Sequence, residues 1–123
     1  MDMVRRRVLA AGCVLAALGI ALGAFGVHGL RSVLNEAALG WWQTGVQYQL
    51  WNAIGLVALS AAPVRVRVSA MLIAVGTLIF CGSLYLMALS GVLWLGAVTP
   101  IGGVLMIAGW CCGALGALRT QKP

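Results

Sequence analysis

Few residues in this chain are able to do chemistry. One histidine, four cysteines and two carboxylates occur among 123 residues. His28 lies in GVHGL, and a metal or haem there would need further ligands that no nearby cluster of histidines and carboxylates offers. Glu36 or a second copy of the chain would have to supply them, so His28 is only a weak candidate, with an interfacial hydrogen bond as its ordinary use. Cys13, Cys81, Cys111 and Cys112 form no C-x-x-C pair, and the adjacent Cys111 and Cys112 point to different faces of a helix. They read as small hydrophobes. The other polar groups gather in WWQTGVQYQLWN, residues 41–52. Amides, a hydroxyl and a phenol donate and accept hydrogen bonds, which leaves three readings: glue between helices, a pocket for a polar ligand or lipid headgroup, and a conduction path. No catalytic residue, cofactor or metal is expected.

The surroundings that position these groups are apolar. The chain is 63% hydrophobic and 8% charged, with a mean hydropathy of +1.05, against roughly 25% charged residues in soluble domains. A membrane protein is expected. The net charge of +6 forms no basic stripe with interleaved aromatics, so nucleic acid is not an expected partner. Cutting the chain at its charges leaves four apolar segments, 8–27, 41–62, 68–89 and 101–118, each about the 17 to 25 residues that cross a bilayer. Residues 1–123 thus read as a single four-span transmembrane domain, an all-α bundle. Seven of the eight basic residues (Arg5, Arg6, Arg7, Arg65, Arg67, Arg119 and Lys122) fall on one side of it, leaving Arg31 with Glu36 on the other. The positive-inside rule places both termini and the turn at 63–67 in the cytoplasm. The first apolar run exceeds the roughly 7 to 15 residues of a signal-peptide core, and LAAGC has only Val8 and Leu9 before it as a lipoprotein signal. The first segment is expected to stay as a helix.

Short links make sequential helices antiparallel neighbours. Pro63 in APVRVR ends the second helix, because it lacks an N–H and disfavours helical geometry at Ala62. SGVLWLGAVT joins the third and fourth, with Trp94 suited to the interface, and Thr99 and Pro100 read as a cap and first turn. Two helices carry small residues at helical spacing. Gly12, Ala16, Gly19, Gly23 and Gly26 share a face of the first, and Gly102, Gly109, Gly113 and Gly116 one of the fourth, interrupted by Met106. Such faces let backbones approach closely in lipid, within one chain or between copies.

At 100° per residue, Gln43, Thr44, Gln47, Tyr48, Trp51 and Asn52 fall on one half of the second helix, opposite Leu39, Trp42, Val46, Leu50 and Ala53. The polar half descends about three turns from the interface marked by Trp41 and Trp42. An unsatisfied amide in hydrocarbon costs several kcal/mol, so this half is expected to face protein or a small hydrated cavity. Ser83 and Tyr85, in FCGSLY, lie at matching depth and are expected to complete the interior network from the third helix.

The motifs GAFGVHGL, WWQTGVQYQLWNA, FCGSLYLMALSG and TPIGGVLMIAGW, in this order and spacing, closely resemble the small membrane-protein family catalogued as domain of unknown function 423, whose eukaryotic relatives are called transmembrane protein 256. The resemblance runs from about Gly19 to Arg119. It implies a four-helix integral membrane protein, of the inner membrane in bacteria, with no established activity or catalytic residues. It also implies a histidine at the position of Asn52 and, in some members, a glutamate at that of Gln47. This chain keeps only hydrogen bonding at both. The expected function is that of a structural or accessory subunit that self-associates or packs against a larger membrane assembly, a respiratory complex among them, and not an enzyme. The alternatives are a small transporter or channel along Gln43, Gln47 and Asn52, or a lipid or quinone binder using Tyr48, Trp51 and the amides.

Overall fold

A computed structural model describes residues 1–119; Lys122 lies outside the described residues. The chain forms α1 (Met3–Phe25), a π-helical turn (Gly26–Leu30), α2 (Glu36–Ser60), α3 (Arg67–Ser90), a 3-10 turn (Leu93–Ala97) and α4 (Thr99–Arg119). Two helices begin about five residues earlier than hydropathy places them. Asp2 accepts a hydrogen bond from Arg5 N at 2.8 Å and starts α1 at Met3, so Arg5, Arg6 and Arg7 lie within the helix. Asn35 does the same for Ala38 N at 2.8 Å, with Glu36 in the first turn to complement the helix dipole. Both caps act locally through a side-chain oxygen and are invisible to a hydropathy count. At the end of α3, Gly91 adopts a left-handed φ of 72° and donates its N–H to Met87 O, a glycine C-cap. Thr99 is not used as the expected cap. Its hydroxyl faces α3, 2.5 Å from Ser83 Oγ, to which it donates because Ser83 gives its own proton to Phe80 O.

Three helical stretches are long and apolar enough to cross a membrane, namely Met3–Leu30, Arg67–Ser90 and Leu93–Arg119. The polar groups of α2 keep it outside that apolar class, although it has 25 residues, about 37 Å of helix. It nevertheless lies antiparallel along α1, from Gly12 beside Val57 at one end to Gly26 beside Trp42 at the other. It therefore runs alongside α1 over most of its length.

The helices pack in chain order, α1 on α2, α2 on α3 and α3 on α4, and the described residues bring no part of α1 against α4. The two glycine faces do not meet each other within the chain. That of α1 lies on α2, where a Cβ at Gly12 would stand 2.9 Å from Ala53 O and one at Gly19 2.7 Å from Leu50 Cδ2. That of α4 lies on α3, where a Cβ at Gly102 would stand 2.6 Å from Gly76 O and one at Gly109 2.9 Å from Ser69 O. Gly76 and Gly102 face each other, so two backbones touch with no side chain between them. The α1 face stays close as far as Gly26, with half-buried Ala16 between Gly12 and Gly19, whereas that of α4 loosens toward its end, where Cβ atoms at Gly113 and Gly116 would meet only ordinary contacts of 4.0 and 3.9 Å.

One core cluster joins Val8, Leu56, Leu59, Val66, Ala70 and Ile73 near the chain's basic end, and another joins Leu30, Ala38, Trp42 and Ala88 near the opposite end. The basic end is tied by Arg5. Its guanidinium donates to Ser60 O at 3.0 Å, to Ala62 O at 2.6 Å and to Val64 O, gathering the last carbonyl of α2 and two carbonyls of the turn that follows it. The cation also complements the negative end of the α2 dipole. The end of α4 lies close by, with Gly116 beside Arg65 O. The N-terminus, the α2–α3 turn and the end of α4 therefore share one side of the bundle.

Candidate functional site

The interior face of α2 is read from its buried positions, of which Ala38, Trp42, Gly45, Gln49, Asn52, Leu56 and Leu59 form one stripe, with buried Ala53 and Ser60 each beside it. The stripe's spacing of four, three, four, three, four and three is that of a helix with neighbours on that side. Four polar side chains on or against this stripe bridge helices, and each crosses at a glycine. Trp42 lies over Gly26, where a Cβ would stand 2.7 Å from its ring, and donates its indole N–H to Leu22 O of α1 at 2.9 Å. Gln49 passes Gly19 and donates from Nε2 to Leu15 O at 2.9 Å. Tyr85 of α3 lies over Gly45 of α2, where a Cβ would stand 2.6 Å from its ring, and its hydroxyl donates to Gln49 Oε1 at 2.7 Å. Trp110 of α4 lies over Gly55 and donates from Nε1 to Asn52 Oδ1 at 2.9 Å.

A glycine thus stands three or four residues from each acceptor, clearing the space a bridging ring or amide needs. Gln49 is the centre, holding α1 through its NH₂ and α3 through its oxygen. Asn52 donates from Nδ2 to Tyr48 O at 2.8 Å and towards Met106 Sδ at 3.3 Å, and so reaches α4 through both ends of its amide. Among the described residues no buried side-chain nitrogen or oxygen lacks a partner.

This arrangement corrects the polar half proposed for the second helix. Gln43 and Gln47 are exposed, Thr44 and Tyr48 are half-buried, and of that set only Asn52 is buried. Trp42, placed on the opposite half, is buried instead. The missed residue is Gln49, 4% exposed. Its signal is the heptad spacing from Ala38 and Trp42 to Leu56, which polarity alone obscured. Tyr85 does reach α2, but Ser83 does not: its hydroxyl donates to Phe80 O and meets Thr99, tying α3 to the start of α4. His28 is exposed in the π-helical turn, and no group of three His, Cys, Asp or Glu side chains gathers among the described residues.

Beside the network, between α2 and α4, lies a cleft of about 550 Å³ lined by Tyr48, Trp51, Asn52, Phe80, Met106 and Trp110. Tyr48 packs on Trp51 and Phe80 with ring centroids 5.1 and 4.6 Å apart. The Asn52 amide in its wall is already paired at both ends, which leaves the cleft mainly aromatic.

A set of apolar helices whose buried polar groups are satisfied within the bundle defines a small integral membrane protein, since hydrocarbon offers no partner for a free amide. The profile of the family described as "Protein of unknown function (DUF423)" matches residues 22–103, and the chain belongs to that family. It is 36% identical to the UPF0382 inner membrane protein YgdD of Escherichia coli strain K12, over 98% of this chain and 95% of the relative. It is 38% identical to a UPF0382 membrane protein of Staphylococcus haemolyticus, over 84% of this chain and 86% of the relative, and 36% identical to one of Staphylococcus saprophyticus, over 88% and 93%. No solved structure matches. The chain is an inner-membrane protein.

Proposed function

We propose that this protein is a structural membrane subunit that acts by assembly rather than catalysis, and that it associates with a second copy of itself through the outer face of α2. The observation that carries this reading is Gln47. It is exposed, lies near the middle of α2, and its side chain makes no hydrogen bond with a described residue. An amide left facing hydrocarbon costs several kcal/mol, so a polar partner from outside the chain would stabilise it. Glutamine carries both donor and acceptor, and two copies related by a twofold axis satisfy each other at the same position. Gly40 and Gln43 continue the face at spacings of three and four, and Gly40 has open space where a side chain would be. A larger membrane assembly, respiratory or other, would use the same face if it offered an amide or carbonyl at that depth. The transport reading draws less support, because the interior polar groups are occupied with one another.

The test is a Gln47→Cys variant in a background without native cysteines, oxidised in native membranes. A disulfide-linked species of twice the chain mass is expected. Gln47→Leu should shift the unmodified protein to the monomer on a native gel. Crosslinking to a heavier protein would replace the second copy by an accessory role. A monomer before and after both changes would remove the assembly reading.

A further inference from the structure

We infer that the groove between α1 and α3 at the basic end is a binding site for one anionic phospholipid. On α1 its wall is Val4, Arg7, Val8 and Ala11, and on α3 it is Arg67, Ala70, Met71 and Ala74. Each set follows the spacing i, i+3, i+4, i+7, so each presents one face of its helix to the groove. The volume is about 380 Å³, and buried Leu56 of α2 contributes to its lining. An arginine stands near one end of each wall and alanines continue into the membrane, an arrangement that suits a charged headgroup above an acyl chain.

The arginines at this end are not equivalent. Arg5 is engaged by the carbonyls of Ser60, Ala62 and Val64. Arg7 and Arg67 line the groove, are exposed, and their guanidiniums make no hydrogen bond or ion pair with a described residue. Two exposed guanidiniums at a membrane surface, with no partner among the described residues, complement the phosphodiester of an anionic lipid, which accepts bidentate hydrogen bonds. Arg67 is also the first residue of α3, whose start has no side-chain cap, so its dipole adds to the positive potential there. The small side chains of Ala11, Ala70 and Ala74 leave the space in which a chain lies against Val8 and Leu56.

The experiment compares retained lipid by native mass spectrometry of the full chain, released from nanodiscs of dioleoylphosphatidylglycerol and dioleoylphosphatidylcholine in equal amounts. The expected result is one phosphatidylglycerol per chain, favoured about thirtyfold, the scale set by two arginines at a membrane surface. Arg7→Gln with Arg67→Gln should abolish the preference. Arg6→Gln with Arg65→Gln, which removes the same charge from the same end but outside this groove, should keep it. Ala74→Leu, with both arginines intact and helical content checked by circular dichroism, should lower retention of either lipid by filling the groove. Equal loss from the two arginine pairs would reduce the effect to diffuse surface charge and overturn the site. Unchanged retention in Ala74→Leu, or displacement of the lipid by millimolar inorganic phosphate, would likewise overturn it.

Discussion

One amide, that of Gln49, links three helices, and its neighbour two turns away in the notional polar face, Gln43, links none. The difference lies in what surrounds each side chain. Gln49 sits on the buried stripe with Leu15 O on one side and the Tyr85 hydroxyl on the other, while Gln43 and Gln47 are exposed. Replacing Gln49 by leucine would strand the Tyr85 hydroxyl inside the bundle, and an unpaired buried group costs about 1 to 3 kcal/mol. Gln47→Leu strands nothing within the chain. In mixed-micelle unfolding at dilutions where the parent is a monomer, Gln49→Leu should therefore be destabilised by that amount and Gln47→Leu should stay within about 0.5 kcal/mol of the parent. Adding Tyr85→Phe to Gln49→Leu should recover part of the loss, since removing both partners is gentler than removing one. Equal losses from Gln47→Leu and Gln49→Leu would refute the assignment of the interior face.

Among the elements, the glycines separate by what a methyl group would meet. At Gly102 it would meet Gly76 O at 2.6 Å and Phe80 Cα at 2.8 Å, backbone atoms that cannot yield without moving α3. Gly40 and Gly82 have nothing within 4 Å. Gly102→Ala should separate α3 from α4 and cost about 1 to 3 kcal/mol, the usual range for overpacking. Gly40→Ala or Gly82→Ala should be neutral or gain up to about 1 kcal/mol, because alanine is the better helix former. Unfolding midpoints of the three variants in one detergent measure the contrast. A loss at Gly82→Ala as large as that at Gly102→Ala would mean that helix contacts do not set these effects. The spacing of small residues on α1 and α4 was legible in the sequence. That their partners were α2 and α3 was not, because a small face suits any neighbour close enough to use it.

For the whole molecule, the packing order leaves α1 and α4 apart and brings the N-terminus, the α2–α3 turn and the end of α4 together. Arg5 secures that end by binding three carbonyls at once, and the exposed Arg6, Arg7, Arg65 and Arg67 crowd around it. Positive charge is retained on the cytoplasmic side of a membrane, so this end is expected to face the cytoplasm. In a cysteine-free background, cysteines at Asp2 and Arg65 should resist an impermeant thiol reagent added to intact cells, and one at Ser32 should react. Labelling of Asp2→Cys and Arg65→Cys from outside, with Ser32→Cys protected, would invert the orientation.

The sequence by itself determined the class of protein, the number of helices and their antiparallel succession. These rest on quantities local to the chain: hydropathy summed over about twenty residues, charges at the ends of those runs, and links too short for any other arrangement. It carried the helix starts as well, in Asp2 and Asn35, for a reader who looks for caps before hydropathy. Only the tertiary structure decided that Gln49 turns inward and Gln47 outward, that Trp42 and Trp110 cross between helices over Gly26 and Gly55, and that Arg5 is spent on the α2–α3 turn while Arg7 and Arg67 are not. In water the apolar face of a helix announces its interior. In a membrane both faces are apolar, so the buried face is set by which neighbour offers a glycine to lie against and a group to bond.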